Sequence, residues 1–149
     1  MAPTASRWLD LGSGAGFPGL VVALAGVGQG LSVALVESND RKCAFLRHVA
    51  RLAGVKVTVH AERLEHVVPT YIGHADIVSA RALAPLSDLL AWTAPLLKSG
   101  TVGLFPKGKD VTVELTEAEK LWRFKAEILM SRTDSEARIV RVTSLENQP

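Results

Sequence analysis

The chain has 149 residues, 48% of them hydrophobic, which is enough to bury one core and too little for a second, so a single domain over 1–149 is expected. Its 17 basic and 15 acidic residues leave a net charge of +2, which excludes recognition by bulk charge alone and leaves any nucleic-acid partner to local patches. A lone cysteine, Cys43, excludes an internal disulfide, and with neither a signal-peptide pattern nor a bilayer-length apolar run in view, a cytoplasmic enzyme is expected.

The apolar residues Trp8, Leu9 and Leu11 predict a first strand, which ends in the glycine-rich stretch LDLGSGAGFPGL. Pro18 suits the first helical position of a short helix over 17–24. LSVALVE, 31–37, has no polar face beyond Ser32 and reads as a central parallel strand closed by a carboxylate. Ser38 or Asn39 can cap the next helix, which runs to Ala53 with Leu46, Val49, Ala50 and Ala53 on one face and Gly54 as its stop. Further strands are expected at 55–61, 75–80 and 101–105, with a helix over LSDLLAWTAPLL despite Pro95. A helical pattern over 113–126, a turn at TDSE and a last strand over 137–145 complete the chain. Strands alternating with helices argue for an open, mostly parallel α/β sheet covered on both faces, with ligands at the carboxyl ends of the strands.

Gly12, Gly14 and Gly16 stand at alternate positions, with Gly19 a turn later, where backbone amides can approach a polar ligand without side chains in the way. The alternative is a tight, well-packed turn and nothing more. Glu37, at the end of the next strand, can accept the two hydroxyl hydrogens of a ribose, so an adenosine-containing cofactor is the leading reading. A dinucleotide fingerprint counted from Gly12 would end on position 17, which is Phe17, whereas the glycine stands at Gly16. The spacing therefore favours S-adenosylmethionine over a nicotinamide dinucleotide. Asp10, just before the turn, either faces the donor's ammonium or caps the turn.

The stretches LDLGSGAGFPGL, LVESNDRKCAFLRHV, HAERLEH, DIVSARALAPL and FPKGK, in this order, resemble the bacterial glucose-inhibited division protein B family, the 16S ribosomal RNA guanine-N7 methyltransferases also called small-subunit methyltransferase G. The resemblance implies a Rossmann-like class I methyltransferase fold, a mostly parallel sheet with an antiparallel C-terminal strand and helices on both faces. It implies S-adenosylmethionine as cofactor and 16S ribosomal RNA or the small ribosomal subunit as partner, with no membrane. Gly12 and Phe17 match the cofactor loop, to which the glycine spacing adds Gly14 as a cofactor-binding residue; Glu37 matches the ribose carboxylate, and Leu64 and Glu65 the pair near the adenine. Arg81 matches an arginine expected at the cofactor or between cofactor and RNA. Members usually carry an acidic residue where His66 stands, and they carry helices before the glycine loop that this chain is expected to lack.

Methylation at guanine N7 uses a lone pair already in the ring plane, so no catalytic acid or base is assigned. A basic rim is expected for RNA: Arg81, Lys107 and Lys109 at strand ends, with Arg47 and Arg51 placed on a solvated helix face. His48, His60, His66 and His74 show no metal-ligand spacing, so no metal is expected. Trp8, Trp92 and Trp122 read as packing residues, and Phe17 as one that packs against cofactor or target base. The competing readings are a nicotinamide-dependent oxidoreductase and a cofactor-binding module without turnover.

Overall fold

The computed structural model describes residues 6–147. Seven strands form one sheet in the order β3-β2-β1-β4-β5-β7-β6. They are β1 Arg7–Leu11, β2 Ser32–Val36, β3 Thr58–His60, β4 Ile77–Ala80, β5 Val102–Lys107, β6 Trp122–Met130 and β7 Arg138–Asn147. β1 to β5 run parallel, and β7 lies antiparallel between β5 and β6. Among the described residues five α-helices surround the sheet, α1 Gly19–Ala25, α2 Asp40–Ala53, α3 Leu64–Val67, α4 Leu86–Lys98 and α5 Val111–Glu119, with a 3-10 turn at Val68–Tyr71. The expected α/β architecture, including its reversed C-terminal strand, is present.

Both faces of the sheet are apolar because strand residues alternate between them. Leu9, Leu11, Ala34, Val36, Val78 and Ala80 face the larger core, filled from above by α4, Phe105 and the β7 residues Val140, Val142 and Leu145. Val33 and Leu35 face the smaller one with Leu20 and Ala23 of α1 and Leu46 and Ala50 of α2. Each fully buried Leu or Phe among these contributes about 1.5–3 kcal/mol relative to exposure.

α2 shows how closely the local sequence dictates an element. Asn39 accepts the Lys42 backbone N–H at 3.0 Å as its N-cap, and Gly54 closes the helix at φ +68. Its inward face is Cys43, Leu46 and Ala50, with Val49 partly buried; Ala53, expected on that face, is exposed because it stands in the last turn. Three expectations need correction. α1 begins at Gly19, with Pro18 as its N-cap rather than its first residue. The strand expected over 55–61 is confined to Thr58–His60, because the Val55 N–H is taken by the Ala50 carbonyl at the helix end. The helix expected over 113–126 stops at Glu119, and Trp122–Met130 is an edge strand. WRFKAEI alternates apolar and polar at every step, a period of two that holds Trp122 and Phe124 against the core while Arg123 and Lys125 face solvent.

Candidate active site

The order of the strands reverses at β1, whose neighbours are β2 on one side and β4 on the other, so the loops leaving β1 and β4 part and open a crevice at their carboxyl ends. β1 runs directly into the glycine turn. Gly12 has φ +63, and a Cβ placed there would stand 2.7 Å from Leu83 Cδ1 in the loop after β4. Gly14, at φ +54, is likewise in the left-handed region that favours glycine. The turn is tied to the sheet by the Ser13 N–H, which donates to Val36 O at 3.0 Å.

Glu37 leaves the end of β2 almost fully buried. Its Oε1 accepts the Gly14 N–H at 3.0 Å and its Oε2 accepts the Asn39 N–H at 3.0 Å. One bond on each oxygen fixes the carboxylate plane and leaves each oxygen further acceptor capacity, the geometry suited to a vicinal diol. Cys43 is buried behind this point and donates its thiol to the Glu37 carbonyl at 3.0 Å; burial pushes its pKa up, which makes it an inert packing residue.

Gly12, Gly14, Phe17, Glu37, Leu64, Glu65 and Arg81 all line one cavity of about 550 Å³. His66, in α3, does not line it and is exposed. Residues missed by sequence reasoning share the cavity: Ser38, Lys42, Arg63, Leu83 and Trp92. Ser38 and Lys42 follow Glu37 so closely that their position on the capped helix start was available as a signal. Trp92 had none, because α4 reaches the cavity only through the tertiary fold. Next to Arg81, Ala82 takes φ +51, a left-handed turn unusual for a residue with a side chain.

The Arg81 guanidinium carbon lies 5.8 Å from the centre of the Phe17 ring, which is itself 56% exposed. Both residues, with Ala82, also line a second cavity of about 720 Å³ bounded by α1, α5 and β7. Lys107 stands in this second cavity with its side chain only 8% exposed, donating to Ala84 O at 2.8 Å and pairing with Glu114 at 3.0 Å. It is therefore a fixed internal charge rather than the open contact to RNA expected of it, because its ammonium is engaged within the fold. Lys109 is exposed in the following turn, and Arg47 and Arg51 lie exposed on α2 as expected.

Asp10 does not line the cofactor cavity. Its Oδ1 accepts the Ser79 hydroxyl at 2.7 Å, and that hydroxyl in turn accepts the Trp8 indole N–H at 2.8 Å. Burial raises the Asp10 pKa to about 6, against the opposing pull of the hydrogen bond from Ser79. Its Oδ2 lacks a hydrogen bond of ordinary geometry, although the start of α1 lies against it. Of the two readings of Asp10, the structure favours the support of the turn and helix start. Among the described residues no group of three or more His, Cys, Asp or Glu could hold a metal, and no helix is long and apolar enough to cross a membrane.

A glycine turn beside a strand-end carboxylate, on a sheet whose seventh strand in sequence is inserted antiparallel between two others, is the architecture of S-adenosylmethionine-dependent methyltransferases. Solved structures bear out the fold: a SAM-dependent methyltransferase from Aquifex aeolicus matches with a TM-score of 0.68 at 17% identity, over 92% of this chain and 81% of that one. An O-methyltransferase of Streptomyces achromogenes involved in tomaymycin synthesis, solved in complex with SAM, matches at 0.66 and 13%, over 95% and 74%. The family model described as rRNA small subunit methyltransferase G matches residues 1–140. The curated ribosomal RNA small subunit methyltransferase G of Methylorubrum extorquens strain PA1 is 65% identical over 146 residues, 97% of this chain and 69% of its own length. The chain belongs to the rRNA small subunit methyltransferase G family. It is thus a methyltransferase with S-adenosylmethionine as its cofactor, and the comparisons lend nothing to the oxidoreductase or to a module without turnover.

Proposed function

We propose that the chain, as a single domain, methylates N7 of a guanine in 16S ribosomal RNA in the cytoplasm, and that Gly12, Gly14, Phe17, Glu37, Leu64, Glu65 and Arg81 hold the methyl donor. The observation that carries the cofactor placement is the Glu37 carboxylate, fixed by the Gly14 and Asn39 N–H groups and still open to accept at the cavity. The residues fit the donor: the left-handed turn at Gly12 and Gly14 has no side chain to exclude it, and Leu64 and Trp92 offer apolar surface to a flat base. When bound, S-adenosylmethionine supplies a methyl group on a sulfonium, a leaving group that departs as a neutral thioether.

The guanine N7 lone pair forms the new N–C bond as the C–S bond breaks, the electron pair stays on sulfur, and the base becomes cationic. No proton moves, so what this chain contributes is alignment and field. Phe17 and Arg81 stand between the two cavities, where they can fix the approach of a base to the methyl group. A guanine in folded RNA must leave its stack to arrive there, which the exposed Phe17 ring favours by offering a new stacking surface.

The test is to incubate the purified chain with radiolabelled S-adenosylmethionine and either naked 16S RNA or small subunits from cells lacking the modification, then map label by cleavage at 7-methylguanosine. A single labelled guanine is expected. Tight cofactor binding with no label in either substrate overturns the substrate reading and leaves the cofactor site standing.

A further inference from the structure

We propose that the second cavity is the pocket for the target base, and that Glu114 within it selects guanine by accepting hydrogen bonds from the N1–H and 2-amino edge. The inference rests on the methyl-transfer reading above and adds the group that tells guanine from other purines.

Three observations lead to it. The cavity of about 720 Å³ is of a size for a nucleoside and shares Phe17, Arg81 and Ala82 with the cofactor cavity, so a base seated in it meets the donor across that shared wall. Glu114 is the carboxylate on α5 that lines it, its Oε2 buried against the Lys107 ammonium at 3.0 Å while the side chain as a whole stays 27% exposed. Lys107 is anchored in turn by Ala84 O at 2.8 Å, so the pair is a rigid fixture of the cavity wall and not a mobile surface contact. Oε2 has no surface open to the cavity, so Oε1 is the oxygen left to meet a ligand, and it would accept both guanine donors.

Guanine carries its donors, N1–H and the 2-amino group, on the six-membered ring, across the purine from N7. A carboxylate gripping that edge in the second cavity leaves N7 on the far side of the purine, free to face the wall formed by Phe17 and Arg81, where the methyl group would lie. Adenine presents a lone pair at N1 in the same place and is repelled. The Phe17 ring, 56% exposed, offers the stacking face.

The test uses the whole chain and small subunits in which the guanosine mapped above is replaced by inosine, which lacks the 2-amino donor, or by adenosine. With the unaltered chain, inosine is expected to lower kcat/KM roughly 10-fold and adenosine by more than about 100-fold. Glu114→Gln, which keeps an acceptor for Lys107 but has no negative charge, should cut kcat/KM on guanosine by roughly 10- to 100-fold and shrink the guanosine-to-inosine ratio, with the dissociation constant for S-adenosylmethionine unchanged. A structural role alone would lower all three substrates together and leave the ratios where they were. Equal rates on guanosine and inosine, or an unchanged ratio in Glu114→Gln, overturns the proposal. Failure of the unaltered chain to methylate guanosine at all overturns the substrate reading and, with it, this pocket.

Discussion

At the scale of single residues, Glu37 and Asp10 are two buried carboxylates with opposite fates. Glu37 is held in place and open at the cavity by two backbone N–H groups, so Glu37→Gln must place an amide donor against one of them. That variant is expected to weaken S-adenosylmethionine binding roughly 10- to 100-fold in a calorimetric titration, the loss of hydrogen bonds to a charged acceptor. Asp10 holds its proton up to about 6 in the folded chain, above the ordinary 3.8 of an aspartate, so its charge costs stability once it ionises. The folded state binds the extra proton between these two values, so this contribution falls as pH rises from about 4 to 6 and is constant above. Relative to Asp10→Asn, the unfolding free energy in urea should therefore drop by about 2–3 kcal/mol between pH 4 and pH 7; a flat difference would sink the assignment. Glu37 was legible in the sequence because a carboxylate ending an apolar strand two elements after a glycine turn has few other uses. The chain from Trp8 through Ser79 to Asp10 was not, since it joins residues about seventy positions apart that only the pairing of β1 with β4 brings together.

Elements differ in how much of themselves they write locally. The second helix carries its start in Asn39, its stop in Gly54 and its spacing between, and all three operate in the structure. The edge strand β6 was legible too, in the strict alternation WRFKAEI, but the helical spacing of VTVELTEAEK just before it extends the helical pattern across the boundary. The break comes at Lys120 and Leu121, where the Leu121 N–H bonds Ala118 O and the helix tightens to an end. In α4, Pro95 sits within the helix on its exposed side, where it denies a bond to the carbonyl one turn earlier while water can reach that group. Pro95→Ala should therefore raise the urea unfolding free energy by about 1–2 kcal/mol, less than the full cost of an interior proline because the variant's unfolded chain is freer.

For the whole molecule, the alternating pattern of the sequence implied a parallel sheet covered on both faces, but not the strand order. Nothing local in 138–147 says that this strand enters between β5 and β6 rather than joining the edge; that follows from the apolar face of Val140, Val142 and Leu145, which has buried partners only there. The two cores share one sheet, with Trp8 packed against one and Trp92 and Trp122 against the other. Losing either face strips the sheet of cover, so both should unfold in one step. Variants keeping Trp8 alone or Trp92 alone are expected to give fluorescence midpoints in urea that coincide with each other and with the loss of helical circular dichroism; separated midpoints would mean two units.

The wall formed by Phe17, Arg81 and Ala82 is common to both cavities, so the two chambers meet at these three residues. An adenosine tethered through a short linker to a guanine could occupy both at once and would carry the second half in at the high effective concentration set by that linker. Such a two-headed compound should bind on the order of a hundredfold or more tighter than either half, and the linker length at which the gain peaks would measure the thickness of the wall in solution.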